Sequence, residues 1–249
     1  MPANPTIQPV YVILGAYGGI GSALARLLHG SGAQLVLAGR DAGRIATLAS
    51  EIGADAVALD TTDRTAVEAC CADAAAKYGN LHGVVNCVGS LILKPAHLTT
   101  NAEWEHTLDT NLTSAFYTVS AAAKAMPQGG SVVLVSSAAA RVGLANHEAI
   151  AAAKAGVIGL TQSAAASYAS RGLRVNCVAP GLTRTPLTQK ITANEIAVKG
   201  SIAMHAAGRL GEPADIARMI AWLLDPANNW VTGQVFGVDG GLGTVRTRT

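Results

Sequence analysis

The sequence of 249 residues predicts an α/β fold: a doubly wound parallel sheet of seven strands in a single domain. The main observation is that short β-branched runs alternate with Ala- and Leu-rich segments of helical periodicity along the chain. A second observation is that no Pro-, Gly- or Ser-rich linker and no block of charge divides the sequence. We therefore expect one domain over residues 1–249.

Seven apolar runs predict the strands and four longer stretches predict helices. The strands are expected at 10–15, 33–39, 55–59, 81–89, 131–137, 173–181 and 233–241. The helices are expected at 19–30, 62–78, 110–126 and 148–170. The section at about 182–212 contains Pro186 and is interpreted as a long irregular segment that acts as a substrate lid. Ligands of such a sheet bind beyond the carboxyl ends of its strands, so we expect functional residues just after each run.

Composition argues against several classes of function. The chain has 18 basic and 16 acidic residues that are interspersed, so no basic face for nucleic acid is expected. The start "MPANPTIQPV" lacks the basic and apolar regions of a signal peptide, and the apolar stretches look too short to cross a bilayer. We expect a cytoplasmic protein without a membrane partner. No metal site and no disulfide is expected from the four cysteines, Cys70, Cys71, Cys87 and Cys177.

A glycine-rich turn follows the first predicted strand. In "GAYGGIG", Gly15, Gly19 and Gly21 allow a tight turn, and the next helix offers free N–H groups to a pyrophosphate. Tyr17 and Ile20 belong to the same turn and are predicted to contact the cofactor. The alternative is that a turn before a helix needs glycine for its backbone alone.

The second predicted strand ends in "AGRD". An acid at position 39 would bind the ribose hydroxyls of NAD, whereas Gly39 followed by Arg40 leaves room and positive charge for a 2′-phosphate. The pattern therefore favours NADP(H) over NAD(H). The alternative is a solvated arginine at the start of a helix.

These motifs and several later ones resemble those of the short-chain dehydrogenase/reductase family, most closely its 3-oxoacyl-carrier-protein reductase group. The likeness covers essentially the whole chain and includes "LD" at 59–60, "NCVG" at 86–89, "APGLTRTP" at 179–186, "GRLGEPADIA" at 208–217 and "VTGQVFGVDGG" at 231–241. It departs from the family at Leu14, where a threonine is usual, and at two positions of "NCVG". The resemblance implies an adenine contact for Asp60 and a nicotinamide amide contact for Thr185. It implies further cofactor contacts for Asn86, Gly89, Pro180 and Gly181.

The family's proton chemistry belongs to a Tyr-x-x-x-Lys pair, with a serine thirteen positions before the tyrosine and an asparagine on the preceding helix. Ser137 stands thirteen positions before Ile150, and Lys154 stands four after it. "NLTSAF" supplies Asn111. The resemblance implies that Ser137 orients the reacting oxygen, Lys154 binds ribose and Asn111 supports a water relay. Ile150 stands in place of the tyrosine and cannot donate a proton or stabilise negative charge.

Each of these residues also has an alternative interpretation without chemistry. Ser137 could cap a strand end, Asn111 could bond a backbone group inside a helix, and Lys154 could be solvated. His147 lies three residues before Ile150, so a helix that extends to it would place both on one face. A histidine there could replace the phenol as acid, or could be a partly exposed residue at the helix start.

Three functions are compatible with this pattern. The first is an NADP(H)-dependent oxidoreductase that acts on a carbonyl or secondary alcohol, with His147, Lys154 or water as proton donor. The second is a catalytically silent dinucleotide-binding protein, either a sensor or the non-catalytic subunit of a mixed oligomer. The third is a dehydration or isomerisation that needs no phenol. We expect a small-molecule substrate in a partly apolar pocket, and a homotetramer or homodimer that pairs the helices at 110–126 and 148–170.

Overall fold

Seven parallel strands form one sheet in the computed structural model, which describes residues 8–246. Their order across the sheet is β3-β2-β1-β4-β5-β6-β7. The strands are β1 Val10–Leu14, β2 Gln34–Gly39, β3 Asp55–Ala58, β4 Gly83–Asn86, β5 Gly130–Val135, β6 Leu173–Pro180 and β7 Val235–Val238. The predicted doubly wound parallel sheet is therefore confirmed, and the ends of the predicted range, 1–7 and 247–249, lie outside the described residues.

The described part of the chain has nine α-helices, and six of them cover the two faces of the sheet. The nine are α1 Gly19–Gly30, α2 Ala42–Ile52, α3 Arg64–Tyr78, α4 Asn101–Leu108, α5 Ser114–Ala125, α6 Glu148–Tyr168, α7 Gln189–Thr192, α8 Glu195–Met204 and α9 Pro213–Leu224. One core layer contains the apolar faces of α1, α2 and α9, and the other contains those of α3, α5 and α6.

Alternation along β1 explains how one strand serves both layers. Val12 and Leu14 belong to the core on the α3, α5 and α6 side, whereas Tyr11 and Ile13 belong to the other core. All four are buried. A strand with apolar residues on both faces must be covered on both, which is the arrangement of a parallel sheet.

The sheet reverses its winding direction between β1 and β4. β1 pairs with β2 on one side and with β4 on the other, and Leu14 faces Ala38 and Asn86 at the carboxyl ends of these strands. The segments that leave β1 and β4 separate to opposite faces and open a crevice between them. This crevice is where the predicted site residues are expected to gather.

The sequence prediction misses five of the nine helices in the described part of the chain. α1 and the strand cores lie where the sequence predicts them, but α2, α4, α7, α8 and α9 are not among the predicted helices. The lid section at 182–212 is not irregular as predicted, because α7 and α8 and a 3₁₀ turn at Pro186–Thr188 lie within it. The predicted helix at 110–126 begins with a π-helical turn at Asp109–Thr113.

The prediction that the apolar stretches are too short to cross a bilayer is wrong for one helix. Residues Glu148–Arg171 form a helical stretch long enough to span a membrane, with a mean hydropathy of 1.2. This stretch packs against β6, and it buries Val157, Ala164 and Ala165 in the core. Its apolar character is therefore used for packing inside the domain.

The four cysteines are all free thiols inside or close to the core. Cys70 and Cys71 are buried on α3, and Cys177 is buried in β6. Cys87 directly follows β4 and is half-buried.

Candidate functional site

The glycine turn after β1 is built so tightly that side chains are excluded from it. Gly15 has a φ of 74°, and a Cβ on it would lie 2.9 Å from Cγ2 of Val88. A Cβ on Gly21 would lie 2.5 Å from the carbonyl oxygen of Gly15. Gly18 caps α1 without a side-chain hydrogen bond, so no side chain occupies the N-terminal amides of the helix. The turn therefore presents backbone N–H groups and a helix dipole to an anion.

Tyr17 covers the end of β2. A Cβ on Gly39 would lie 2.6 Å from Cε1 of Tyr17, so the ring occupies the space where a larger residue at 39 would project. The guanidinium carbon of Arg44 lies 4.4 Å from the centre of the same ring. Arg40 is exposed beside them. Tyr17, Arg40 and Arg44 thus form a cationic, aromatic-walled corner, in which Arg44 was missed by the sequence analysis.

Asp60 lies beyond β3 and is exposed. Its Oδ1 accepts hydrogen bonds from the backbone N–H and the hydroxyl of Thr62 at 2.9 and 2.8 Å. These bonds, with smaller contributions from Arg40 and His106, lower the pKa of the Asp60 carboxyl, although its partial burial opposes them. The carboxylate is therefore ionised and already held in place.

One cavity of about 490 Å³ at the carboxyl ends of β4, β5 and β6 contains the four residues predicted to be catalytic, Asn111, Ser137, His147 and Lys154. Ile150 lines the same cavity. Much of the remaining wall is apolar, and includes Leu91, Leu93, Leu144, Leu187, Ile191 and Met204. The cavity therefore combines a small polar group of side chains with an apolar surround, as small-molecule sites commonly do.

Lys154 is buried, contrary to the alternative that it is solvated. Its Nζ donates a 2.8 Å hydrogen bond to the carbonyl oxygen of Val135 at the end of β5. Ser136 fixes the lysine backbone from the same strand end by donating to the Lys154 carbonyl at 2.7 Å. Burial lowers the pKa of the Lys154 ammonium to about 8, because desolvation disfavours its charged form.

Asn111 lies in the π-helical turn and supports the end of β4. Its Nδ2 donates to Ser90 Oγ and to the Thr107 carbonyl, both at 2.9 Å, and its Oδ1 accepts from the Ser90 N–H at 3.2 Å. A Cβ on Gly89 would lie 3.2 Å from Asn111 Oδ1 and 3.7 Å from Lys154 Nζ. Asn111 and Lys154 therefore approach the same glycine from two sides. Ser90 is a site residue that the sequence analysis missed.

Ser137 and His147 both have local backbone partners. Ser137 Oγ accepts from the Ala139 N–H at 3.1 Å, so it caps a 3₁₀ turn and also lines the cavity. His147 is the N-cap of α6 and lies outside the helix. It therefore does not share a helical face with Ile150, which the sequence would allow only if the helix extended to His147. His147 Nδ1 is 2.7 Å from the Ala145 carbonyl oxygen and must carry the proton to make this bond, which leaves Nε2 available.

Ile150 lies in the first turn of α6, one turn before Lys154. Its side chain is only 4 % exposed, although it borders the cavity. The position therefore presents a hydrocarbon surface to the polar group formed by Ser137, Asn111 and Lys154.

The predicted cofactor residues after β4 and β6 have different environments. Asn86 does not line the cavity, because its amide is buried and donates to Thr118 Oγ1 at 2.9 Å, while its Oδ1 accepts from Val88 N. Pro180, Gly181 and Thr185 do line it. A Cβ on Gly19 would lie 2.7 Å from Thr185 Cγ2, so the lid directly touches the glycine turn.

The sequence matches one family model and many curated proteins. The model is described as enoyl-(acyl carrier protein) reductase and matches residues 15–243. The cis-4-hydroxycyclohexanecarboxylate dehydrogenase of Sinomonas cyclohexanicum is 39 % identical, over 96 % of this chain and 98 % of its own. The 3-oxoacyl-[acyl-carrier-protein] reductase FabG of Vibrio cholerae is 35 % identical, over 94 % of this chain and 96 % of its own.

Solved structures resemble the fold over nearly its whole length. A short-chain type dehydrogenase/reductase from Mycobacterium ulcerans superposes with a TM-score of 0.92 at 32 % identity, covering 96 % of this chain and 90 % of the other. ElxO with NADP bound has a TM-score of 0.88 at 29 % identity, covering 94 % of this chain and 98 % of its own. A tyrosine-to-phenylalanine variant of ElxO with NADPH bound has the same TM-score, identity and coverage.

Proposed function

The chain belongs to the short-chain dehydrogenase/reductase family, and from that membership we propose that it is an NADP(H)-dependent oxidoreductase acting on a carbonyl or secondary alcohol. The observation that carries the proposal is the shared cavity of Ser137, Asn111 and Lys154 beside the glycine turn. Relatives named as dehydrogenases of cyclic alcohols and reductases of oxoacyl groups agree with this reaction class.

The residues present fit a nicotinamide dinucleotide. The glycine turn leaves a cradle that a Cβ at Gly15 or Gly21 would fill, and it offers amides to a pyrophosphate. In our proposal Lys154 holds the ribose and Thr185 the nicotinamide amide, as the family resemblance implies. A bound nicotinamide would supply hydride to the substrate carbon or accept it from there.

The preference for NADP(H) is proposed from the corner formed by Tyr17, Arg40 and Arg44. The two arginines supply charge for a 2′-phosphate, and Tyr17 covers Gly39, where an acid for the NAD ribose would have to stand. An acid placed at Gly39 would meet the Tyr17 ring before it reached a ribose. Structures of relatives with NADP or NADPH bound support this choice.

Arg40→Ala is expected to reduce the preference for NADPH over NADH by about tenfold, because it removes a charged hydrogen-bond donor from the phosphate corner. Dissociation constants for both dinucleotides are measured by fluorescence titration. Arg26→Ala is the matched control, since Arg26 pairs with Glu51 on the surface. Equal affinities of the parent protein for NADPH and NADH would contradict the proposed preference.

The proton chemistry is proposed to pass through Lys154 or His147. Reduction of a carbonyl builds negative charge on its oxygen, which Ser137 can orient with its hydroxyl and Ile150 cannot stabilise. Lys154 has a pKa of about 8, close to neutral pH, and is therefore suited to donate and recover a proton. His147 lines the same cavity and has Nε2 available.

A catalytically silent dinucleotide-binding protein is the second candidate. Ile150 favours it, because a buried hydrocarbon occupies the position that the family resemblance assigns to the phenol. The ElxO variant shows that a relative with one tyrosine hydroxyl removed still holds NADPH. The discriminating experiment is to titrate the protein with NADPH and then follow NADPH oxidation across a panel of apolar cyclic and acyclic ketones. NADPH binding without any turnover would favour the silent protein, whether as a sensor or as a subunit of a mixed oligomer.

We expect a homodimer or homotetramer that uses the outer faces of α5 and α6. Phe116 on α5 is 50 % exposed, and a Cβ on Gly159 of α6 would meet no atom within 4 Å, so both helices present open, partly apolar surfaces. Small residues on such faces allow close helix packing. Light scattering should give a mass of two or four chains, and Phe116→Glu should lower it. A monomeric parent at micromolar concentration would contradict the prediction.

A further inference from the structure

A buried histidine connects the two ends of the lid. His205 follows α8 and is 3 % exposed. Its Nε2 accepts a hydrogen bond from the Leu182 N–H at 3.2 Å, and its Nδ1 is 2.6 Å from the Ser201 carbonyl oxygen. The bond to Leu182 joins residues 23 positions apart in the sequence.

The two partners fix the protonation state of the ring. A backbone N–H only donates, so Nε2 must be an unprotonated acceptor toward Leu182. A carbonyl only accepts, so Nδ1 must carry the proton and donate to Ser201. His205 therefore makes both bonds only as a neutral ring with its proton on Nδ1.

Two glycines make room for this ring. A Cβ on Gly181 would lie 2.6 Å from His205 Nε2 and 3.0 Å from Asp239 Cα. A Cβ on Gly240, where φ is 58°, would lie 3.5 Å from the His205 ring. The ring thus lies in a slot between the segment after β6 and the turn after β7. A side chain at position 181 would displace it.

The hydrogen bond to Leu182 acts where the lid leaves the sheet. Leu182, Thr183 and Thr185 line the catalytic cavity at the start of the lid, and Ser201 and Met204 line it near the lid's end. The Leu182 carbonyl has another partner, the Gly211 N–H at 2.9 Å. Among the described residues 8–246, the acceptor of the Leu182 N–H is His205 Nε2.

We propose that His205 is a positioning residue: its neutral ring closes the base of the lid and holds the segment Leu182–Thr185 against the nicotinamide end of the cavity. The closure of the lid is inferred from the hydrogen bonds of His205 to Leu182 and Ser201 alone. Its effect on dinucleotide binding rests on the proposed function.

Four charged groups lie near the ring. Arg209, Asp215, Arg218 and Asp239 share with His205 the lining of a smaller cavity of about 210 Å³. Asp215 pairs with both arginines, which with a backbone hydrogen bond lower its pKa to about 2, so it keeps its charge through the neutral range. Asp239 accepts the N–H groups of Gly241 and Gly243. In the described part of the chain, none of these groups takes part in the bond between His205 and Leu182.

The first experiment measures hydrogen exchange of the protein without dinucleotide. In His205→Val, amides of 182–205 should exchange about tenfold faster, the effect of one lost hydrogen bond, while α1 keeps its rate. In His205→Gln the side-chain oxygen can accept from Leu182, so exchange should remain close to that of the parent. Unchanged exchange in His205→Val would overturn the proposal.

The second experiment compares NADP⁺ with adenosine 2′,5′-bisphosphate by calorimetry. His205→Val should bind NADP⁺ about tenfold more weakly and the bisphosphate equally well, because the bisphosphate lacks the nicotinamide end. His205→Gln should restore NADP⁺ binding.

The two experiments separate failure of this inference from failure of the proposed function. If the parent binds neither ligand, the proposed function fails, and hydrogen exchange still decides the role of His205. If His205→Val does not fold, hydrogen exchange of the parent decides it: the Leu182 amide, which donates to the His205 ring, should exchange as slowly as the amides of α1. Fast exchange of the Leu182 amide in the parent would overturn the proposal.

Discussion

Ile150→Tyr is expected to raise the rate of ketone reduction by about 10²-fold or more, because it adds a general acid where a hydrocarbon side chain now borders the cavity. Position 150 lies one helical turn before Lys154, and both residues border the cavity with Ser137 and Asn111. The cavity of about 490 Å³ next to Ile150 gives the larger ring room without rebuilding the core. The rate is measured as NADPH oxidation with small apolar ketones.

Two further variants make the result interpretable. Ile150→Phe has the size of the tyrosine without its hydroxyl, so it should show no gain. His147→Ala in the parent should abolish activity if His147 is the donor, and in that case Ile150→Tyr should add little. If Ile150→Tyr folds and binds NADPH yet reduces nothing more than the parent does, the cavity is not an incomplete carbonyl-reductase site, and a dehydration or isomerisation becomes the better hypothesis.

Lys154→Met is expected to stabilise the fold and weaken dinucleotide binding at the same time. The folded-state pKa of Lys154 is depressed from 10.5 to about 8, so below pH 8 the lysine is charged in both states and its burial costs about 3 kcal/mol. The cost falls as the pH rises from about 8 and is absent above about 10.5, where the lysine is neutral in both states. Methionine fills the same space without a charge.

The measurement is denaturant unfolding at two pH values. At pH 7 the free energy of unfolding of Lys154→Met should exceed that of the parent by about 2–3 kcal/mol, and near pH 10.5 the two should converge. Lys199→Met is the matched control, because Lys199 is exposed on α8, and it should change little at either pH. A Lys154→Met protein that is less stable than the parent at pH 7 would show that the bond to Val135 outweighs the cost of burial.

Much of the architecture could be predicted because two signals act along the chain. Buried strands of β-branched residues predict the sheet, and the "GAYGGIG" turn predicts the phosphate-binding site. α9 was missed although its start is marked by Pro213 at the first helical position and by the capping pair of Glu212 and Asp215. Pro186 predicts an irregular lid because proline interrupts helices, whereas in the structure it begins a 3₁₀ turn that Thr185 caps.

The depth and environment of single polar residues could not be predicted. The spacing predicts that Lys154 lies near Ile150. The burial of Lys154 could not be predicted, because it depends on the end of β5, which the fold brings against the lysine. Nothing in the sequence near His205 distinguishes a buried histidine from an exposed one, since its partners Leu182 and Ser201 meet it only through the fold. Arg44 was missed for a similar reason, because its role depends on the position of the Tyr17 ring.

The placement of the four cysteines makes the protein suitable for site-specific labelling. Burial raises the pKa of Cys70 and Cys87 to about 12 and that of Cys177 to about 11, and it raises the pKa of Cys71 further still. The thiolate is the form that alkylating reagents attack, so at neutral pH all four should react slowly with maleimides. A cysteine introduced at Ile196, which is 85 % exposed on α8, would then be labelled alone. A spin label or fluorophore at that position would report lid motion in the otherwise native chain.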